Sequence, residues 1–240
     1  MRNLKAELSY KNRLHLLITL VFVIMPFLFI LIFSKLAHLT SGQLFKDLSV
    51  SFLRILIAYI IAAILAWLLA AAFYKGKRAI VALPVFDVLQ SFPTFAILPL
   101  ATYFWGASNF TIIFFLILTI IWPILFSIIS SLKLIKKDWE EAVEISRIKG
   151  FSYIKLFVWP ASIPGLITGS IVGLGEGWEA LVATEIIVDI QSGLGSFFQS
   201  VSTNLSLTAF GIFGLLLIIF VINKLLWLPL LEKSHRKMEE

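Results

Sequence analysis

Five carboxylates in this sequence lie within or close to long apolar stretches, where ionisable side chains are rare. They are Asp87, Glu176, Glu179, Glu185 and Asp189. Moving a carboxylate out of water is costly, so such a residue usually pairs with a cation or faces a water-filled cavity. Their presence predicts either buried ion pairs or a polar cavity at membrane depth.

Four of these carboxylates are assigned roles. Glu176 and Glu179 are expected to line or gate a polar path, with a packing role as the alternative. Glu185 is expected to be structural, paired with Arg54 or with backbone donors, and Asp87 is also expected to be structural.

Other kinds of chemistry are missing from the sequence. There is no cysteine, and the three histidines, His15, His38 and His235, show no metal-ligand spacing. The HExxH, GxSxG and GxxxxGK[ST] patterns are absent as well. We therefore predict no catalytic residue, no metal and no cofactor, and an enzyme working inside the membrane is the least favoured alternative.

The composition favours a bilayer environment. The chain has 240 residues, of which 60% are hydrophobic and 14% charged, and its mean hydropathy is +0.98. Uncharged stretches of about twenty residues recur, the length that crosses the hydrocarbon core. We predict an all-α membrane protein with six spans: Leu14–Ser34, Ser51–Tyr74, Val81–Trp105, Thr111–Leu132, Trp159–Ile187 and Leu207–Leu228.

The distribution of lysine and arginine predicts the orientation. They concentrate in the N-terminal segment, in alternate loops and in the C-terminal segment, whereas the other loops hold few. Cytoplasmic loops carry such an excess, so both termini are expected in the cytoplasm. We predict a cytoplasmic arm at 1–13, a membrane domain at 14–228 and a cytoplasmic tail at 229–240. The net charge of +6 then indicates a membrane protein rather than a nucleic-acid-binding one.

Small residues mark a close-packing surface in the fifth predicted span. Gly165, Gly169 and Gly173 are spaced four apart, which gives a flat ridge on a helix. This ridge and Pro160 are predicted to serve packing. The ridge could meet another helix of the chain or another subunit, and the sequence leaves both open.

A charged segment between the fourth and fifth spans, "KLIKKDWEEAVEISRIKG", is too polar to cross a membrane. On a helix its apolar residues form one stripe and its charges lie to the side, so an amphipathic cytoplasmic helix is predicted within about 134–156. Gly150 is expected to end this helix. The alternative is a helix that lies on the lipid headgroups.

This segment resembles the signature loop of permease subunits of binding-protein-dependent ABC importers. That pattern is Glu-Ala-Ala, three residues, Gly, nine residues, Ile-x-Leu-Pro. Glu141-Ala142 opens it, and the spacing to Pro160 matches. Four residues differ from the family pattern: Val143, Arg147, Phe157 and Trp159.

The flanking segments extend the resemblance to roughly 51–196. "SFLRILIAYIIA", "LPVFDVLQSFPTFAILPL" and "PASIPGLITGSIVGLGEGWEALVATEII" are similar to the second, third and fifth spans of the branch that imports nitrate, sulfonates, taurine and pyrimidine precursors. The resemblance implies a small, anionic solute. It also implies a location in the plasma membrane.

The resemblance implies a division of labour between subunits. The charged helix would couple the permease to a separate ATPase subunit through Glu140, Glu141, Ala142, Arg147 and Gly150. A second permease subunit, either a copy or a sister chain, and an extracytoplasmic substrate-binding protein would complete the importer. A gradient-driven secondary transporter or channel is the alternative.

Overall fold

The structure of the chain is a computed structural model that describes residues 41–135 and 137–239, together with scattered positions between 20 and 35. These residues are helical or lie in short connections, and no strand occurs among them. The helices are α1 Ser41–Phe73, α2 Gly76–Gln90, α3 Thr94–Trp105, α4 Asn109–Lys133, α5 Lys137–Ile145, α6 Phe151–Val188, α7 Leu194–Val201, α8 Leu205–Ile222 and α9 Leu228–Glu239.

Among the described residues, four helical stretches are long and apolar enough to cross a membrane: α1, α4, α6 and the stretch that begins with α8. The pair α2 and α3 makes a fifth if it counts as one span. The first predicted span, Leu14–Ser34, lies outside the described residues apart from scattered positions, which are helical. The all-helical membrane architecture predicted from the sequence is therefore confirmed.

Helix α4 forms the centre of the bundle. Half of its most apolar stretch is buried, compared with 11% for the stretch that begins with α8. Its side chains Phe115, Ile120 and Ile124 are almost wholly buried, and α1 and α6 pack against it. A helix that is apolar all round suits such a central position, whereas α8 keeps its apolar surface for lipid.

Helix α1 packs through a row of small residues. Ala58, Ala62, Ala66 and Ala70 recur every fourth position and have no exposed surface. This spacing keeps them on one side of the helix and lets α1 approach its neighbours closely. The alanine row on α1, like the glycines on α6, allows close approach to a neighbouring helix.

The third predicted span, Val81–Trp105, is not one continuous helix. Its two halves, α2 and α3, are bent by 77° at the break between Gln90 and Thr94. Pro93 cannot donate a backbone hydrogen bond and pushes the preceding residue, Phe92, away from helical geometry. The prediction of a single helix was wrong because it treated this proline as tolerated within a span.

Two other predicted boundaries differ from the structure. Helix α6 begins at Phe151 rather than at Trp159, and a π-helical turn at Ile154–Val158 joins its first residues to the long apolar part. The last span continues through a π-helical turn at Asn223–Trp227 into α9. In both places the helix runs on from the apolar stretch into a polar one without a break.

Candidate functional site

A groove of about 570 Å³ lies between the broken pair α2 and α3 on one side and helices α4 and α6 on the other. Its walls come from the middle of α4 and α6, including Thr119, Trp122 and Glu176. At 1.5 Å per residue, Glu176 lies ~18 Å along α6 from its end at Val188. This depth places the groove near the middle of the membrane-crossing bundle.

The break between α2 and α3 forms one wall of this groove. Gln90, Phe92, Thr94 and Phe95, which flank the break, all line it. Irregular backbone at membrane depth is tolerated only where protein covers it or where it lines a water-filled cavity. The bend and the groove are therefore parts of one feature.

Two of the five carboxylates reach the groove. Asp87 and Glu176 both line it and both side chains are exposed in the single chain. Asp87 has no ion pair within the described part of the chain, and its structural role stays a prediction. Glu179 is exposed on α6 but does not line the groove.

A second groove, of about 410 Å³, continues along the same face of α4 and α6 towards α5. The two grooves share Ser127. Further along, Ser130 and Thr168 add hydroxyl groups, and Trp139 of α5 closes the far end. Together the two grooves form a track from the middle of the bundle to α5, here called the polar track for its carboxylates and hydroxyl groups, which lie among apolar side chains. Sequence reasoning missed these hydroxyls, because a serine or threonine in a helix can also bond its own backbone.

The remaining deep carboxylate, Glu185, belongs to a buried polar cluster near the end of α6. It forms an ion pair with Arg54, and both side chains are almost completely buried. The Ser51 hydroxyl donates to Glu185 at 2.7 Å, and the Gly195 backbone N–H donates at 2.8 Å. The predicted pairing of Glu185 with Arg54 is confirmed.

Arg54 extends the cluster to two further segments. Its Nε donates to Asn109 at the start of α4, at 2.9 Å, and its guanidinium also donates to the carbonyl and hydroxyl oxygens of Ser192. A side chain placed on Gly193 or Gly195 would collide with Glu185. The cluster thus joins α1, α4 and α6 to the loop before α7, and its dense hydrogen bonding fits a structural role rather than a transport role.

The glycine ridge of α6 packs on α4 of the same chain. A Cβ atom on Gly169 would lie 2.6 Å from the Ile124 Cα, and one on Gly173 would lie 3.0 Å from the Ile120 carbonyl oxygen. Gly165 likewise meets the backbone of α4 at Ser127. Packing within the chain accounts for the ridge. Pro160, by contrast, lies exposed on α6 just after the π-helical turn.

Helix α5 ends in a paired hydrogen-bond cap. The Arg147 N–H donates to the Glu144 carbonyl at 3.0 Å, and the Ile148 N–H donates to the Val143 carbonyl at 3.4 Å. This is the Schellman pattern, in which the residue at the Arg147 position adopts a left-handed backbone. The φ angle of Arg147 is indeed 51°.

The cap explains why glycine suits this position in the family pattern. It also explains why the prediction for Gly150 is wrong. Glycine adopts a positive φ without steric cost, so the glycine of the family pattern suits the position that Arg147 occupies here. Gly150, with φ 61°, precedes α6 instead of ending α5. The prediction that Gly150 ends the helix is wrong because Arg147 already does so.

The residues predicted to couple this helix to a partner are distributed as follows. Glu141 and Arg147 are exposed, whereas the side chains of Glu140 and Ala142 lie outside the described residues. Val143 packs against the core. Ile145, which sequence reasoning missed, exposes 82% of its surface. The position of Ile145 beside, rather than on, the apolar stripe could have predicted this exposure.

A cluster of two tyrosines and a lysine joins the end of α1 to the start of α6. The Tyr74 and Tyr153 hydroxyls are hydrogen-bonded at 2.7 Å, and the Lys75 ammonium donates to Tyr153 at 2.7 Å. Burial, together with the hydrogen bond to Tyr153, raises the pKa of Tyr74 to about 12. Tyr74 therefore stays protonated at neutral pH. Lys75 and Tyr153 line a groove of about 450 Å³ with Arg147 of the α5 cap.

The described residues do not indicate a metal site. No group of three or more His, Cys, Asp or Glu side chains among them is placed to hold a metal ion. What the bundle presents is a polar track at membrane depth and an exposed polar helix at one end of it. These features are those of a membrane transport subunit.

Comparison with known proteins gives the family. Residues 62–232 match the binding-protein-dependent transport system inner membrane component. The match covers more than half of the chain, and the chain belongs to this family. The resemblance found in the sequence is thereby confirmed.

Individual relatives are permease proteins. The chain is 28% identical to a nitrate import permease protein of Leptolyngbya laminosa over 74% of its own length and 66% of that protein. It is 28% identical to a bicarbonate transport system permease protein of Synechococcus elongatus, over 48% and 41%. For the taurine transport system permease protein of Escherichia coli the identity is 28%, over 49% and 42%. The chain thus spans between 41% and 66% of these relatives.

Proposed function

We propose that this chain is the permease subunit of an ABC importer and forms part of its translocation path. The observation that carries the proposal is the polar track along α4 and α6, which runs from the groove beside Asp87 and Glu176 to Trp139 of α5. A polar route that ends at a helix outside the bundle can link passage of a solute to movement of that helix.

The exposure of the track argues for a second permease subunit. Asp87 and Glu176 are exposed in the single chain at about mid-membrane depth, and lipid is an unfavourable neighbour for a carboxylate. A second protein surface over the groove would replace lipid and close the path. Either a second copy or a sister chain would serve.

Helix α5 supplies the surface for an ATPase subunit in this proposal. Its exposed residues Glu141 and Ile145 combine a charge with an apolar contact, and interfaces commonly place apolar residues within a polar rim. The sequence has no GxxxxGK[ST] phosphate loop, so ATP would be bound by the partner. An extracytoplasmic binding protein would deliver the solute.

We further propose that the membrane part has six spans, with Leu14–Ser34 as the first and the pair α2 and α3 as the third. The excess of lysine and arginine at both ends of the chain and around α5 would place both termini and α5 in the cytoplasm. The names of the relatives give nitrate import, bicarbonate transport and taurine transport. A small solute is therefore the expected cargo.

The test of partnership is affinity purification from the native membrane followed by mass spectrometry. We expect a Walker-type ATPase to be recovered with the permease, and Glu141→Lys to lose it, because the change reverses a charge on the docking surface. Glu232→Lys, an equally exposed change on α9, is the matched control. Recovery of the ATPase with the Glu141→Lys protein would contradict docking through this face of α5.

A further inference from the structure

The charges around the mid-bundle groove are of one sign. Asp87 and Glu176 line it, and no lysine or arginine is among its described lining residues. The adjoining groove towards α5 has no charged side chain in its lining. The only charges that line the described track are therefore negative, and its other lining residues are neutral.

Arg54, a cation at membrane depth, is bound within a different cluster. It is almost completely buried in the cluster with Glu185, Asn109 and Ser192, and it does not line the groove. A second copy of the chain across the path would bring the same carboxylates again. A path with walls of one sign attracts solutes of the opposite sign and repels those of its own.

The neutral part of the wall is aromatic. Phe92, Phe95, Trp122 and Phe126 line the same groove as the two carboxylates. Aromatic faces attract cations as well as flat apolar groups. The volume of about 570 Å³ lies within the range of sites for small organic molecules.

We infer that the solute carried through this groove is a small organic molecule that bears a protonated nitrogen, which Asp87 and Glu176 meet during passage. This inference rests on the proposed function and narrows its substrate class. An ammonium or protonated heterocycle finds both a counter-charge and an aromatic wall here. A zwitterion that carries such a nitrogen fits, whereas nitrate-like inorganic anions do not.

A pair of matched probes tests the inference on the purified complex of the permease with its ATPase. Benzyltrimethylammonium and benzenesulfonate share one ring and carry opposite fixed charges. We expect the cation to bind in equilibrium dialysis at least about tenfold more tightly than the anion. Stronger binding of benzenesulfonate to the unmodified complex would overturn the inference.

Charge-neutralising variants locate the effect. Asp87→Asn and Glu176→Gln keep the side-chain shape. Each should weaken binding of the cation about tenfold without strengthening binding of the anion. The ATPase rate of the complex reports whether each variant is folded. Glu232→Gln on α9 is the control and should bind like the unmodified complex. Unchanged cation binding in both groove variants would also overturn the inference.

The two proposals fail separately. ATP-driven uptake with a preference for benzenesulfonate would reject the substrate class and leave the importer assignment standing. A complex that moves no solute with ATP would reject the importer assignment, whichever probe it binds.

Discussion

The role of Arg147 follows from its backbone conformation. It holds a left-handed conformation that caps α5, and a residue with a Cβ adopts this region at a cost of about 1 kcal/mol. The importer family has glycine at the matching place. The structure therefore accounts for that glycine by backbone geometry, without any need for close approach by a partner.

Replacing Arg147 with glycine should stabilise the α5 cap. We expect Arg147→Gly to increase protection of the Arg147 and Ile148 amides by a factor equivalent to about 1 kcal/mol, since the left-handed strain is removed. Hydrogen exchange followed by mass spectrometry measures this. Ser146→Gly, one residue earlier and without a positive φ, should give no such gain. Equal effects of the two changes would refute the cap.

The buried ion pair of Arg54 and Glu185 is a second feature of single residues. Glu185→Gln should leave the buried guanidinium without its counter-charge and lower the free energy of unfolding by about 3 kcal/mol. Thermal unfolding in detergent would show this as a clearly lower midpoint. Asp189→Asn is the control, because Asp189 is exposed with φ 55°, a conformation that asparagine also adopts. A midpoint as high as that of the control would contradict a stabilising pair.

The sequence indicated the partner of Glu185 but did not indicate the groove beside Asp87, for a physical reason. A buried carboxylate demands a cation, and Arg54 was the cation at hand in the neighbouring apolar stretch. Asp87 lies beside a break that the sequence did not reveal, because proline is tolerated inside many membrane helices. Once the helix bends there, its carboxylate faces a groove rather than a partner.

At the scale of elements, α4 and α6 form the rigid frame of the molecule. The glycines of α6 bring its backbone against α4, and the hydroxyl groups of the polar track lie along the same two helices. The glycine spacing predicted a ridge, but the sequence could not tell which helix it meets, since any flat surface would suit it. The structure provides that partner.

Substitution along this frame should depend sharply on position. Gly169→Ala would place a Cβ 2.6 Å from the backbone of Ile124, so we expect a loss of about 1–3 kcal/mol from overpacking. Gly175→Ala, where nothing lies within 4 Å of the added Cβ, should be neutral or slightly stabilising. Yield and thermal midpoint of the purified protein measure both. Equal midpoints would contradict close packing of α6 on α4.

Between elements, the Tyr74 and Tyr153 pair connects the end of α1 to the start of α6 beside the α5 cap. Because burial and this hydrogen bond raise the pKa of Tyr74 to about 12, its charge does not change near neutral pH.

For the whole molecule, the composition and the charge bias of the loops sufficed to predict a helical membrane protein. The signature segment sufficed to predict its family, which residues 62–232 confirm. The groove was only partly anticipated: Glu176 lines it, whereas Glu179 lies outside it. Helical periodicity explains this, because residues three apart diverge by ~60° around the axis and need not face the same cavity.

The central claim is that this chain couples movement of a solute to an ATPase through α5. Its most direct test is uptake into proteoliposomes that contain the purified permease–ATPase complex, with the binding protein outside and ATP or ADP inside. We expect uptake with ATP only, abolished by Glu141→Lys and retained by Glu232→Lys. Uptake that proceeds equally with ADP, driven by a solute or ion gradient, would contradict it.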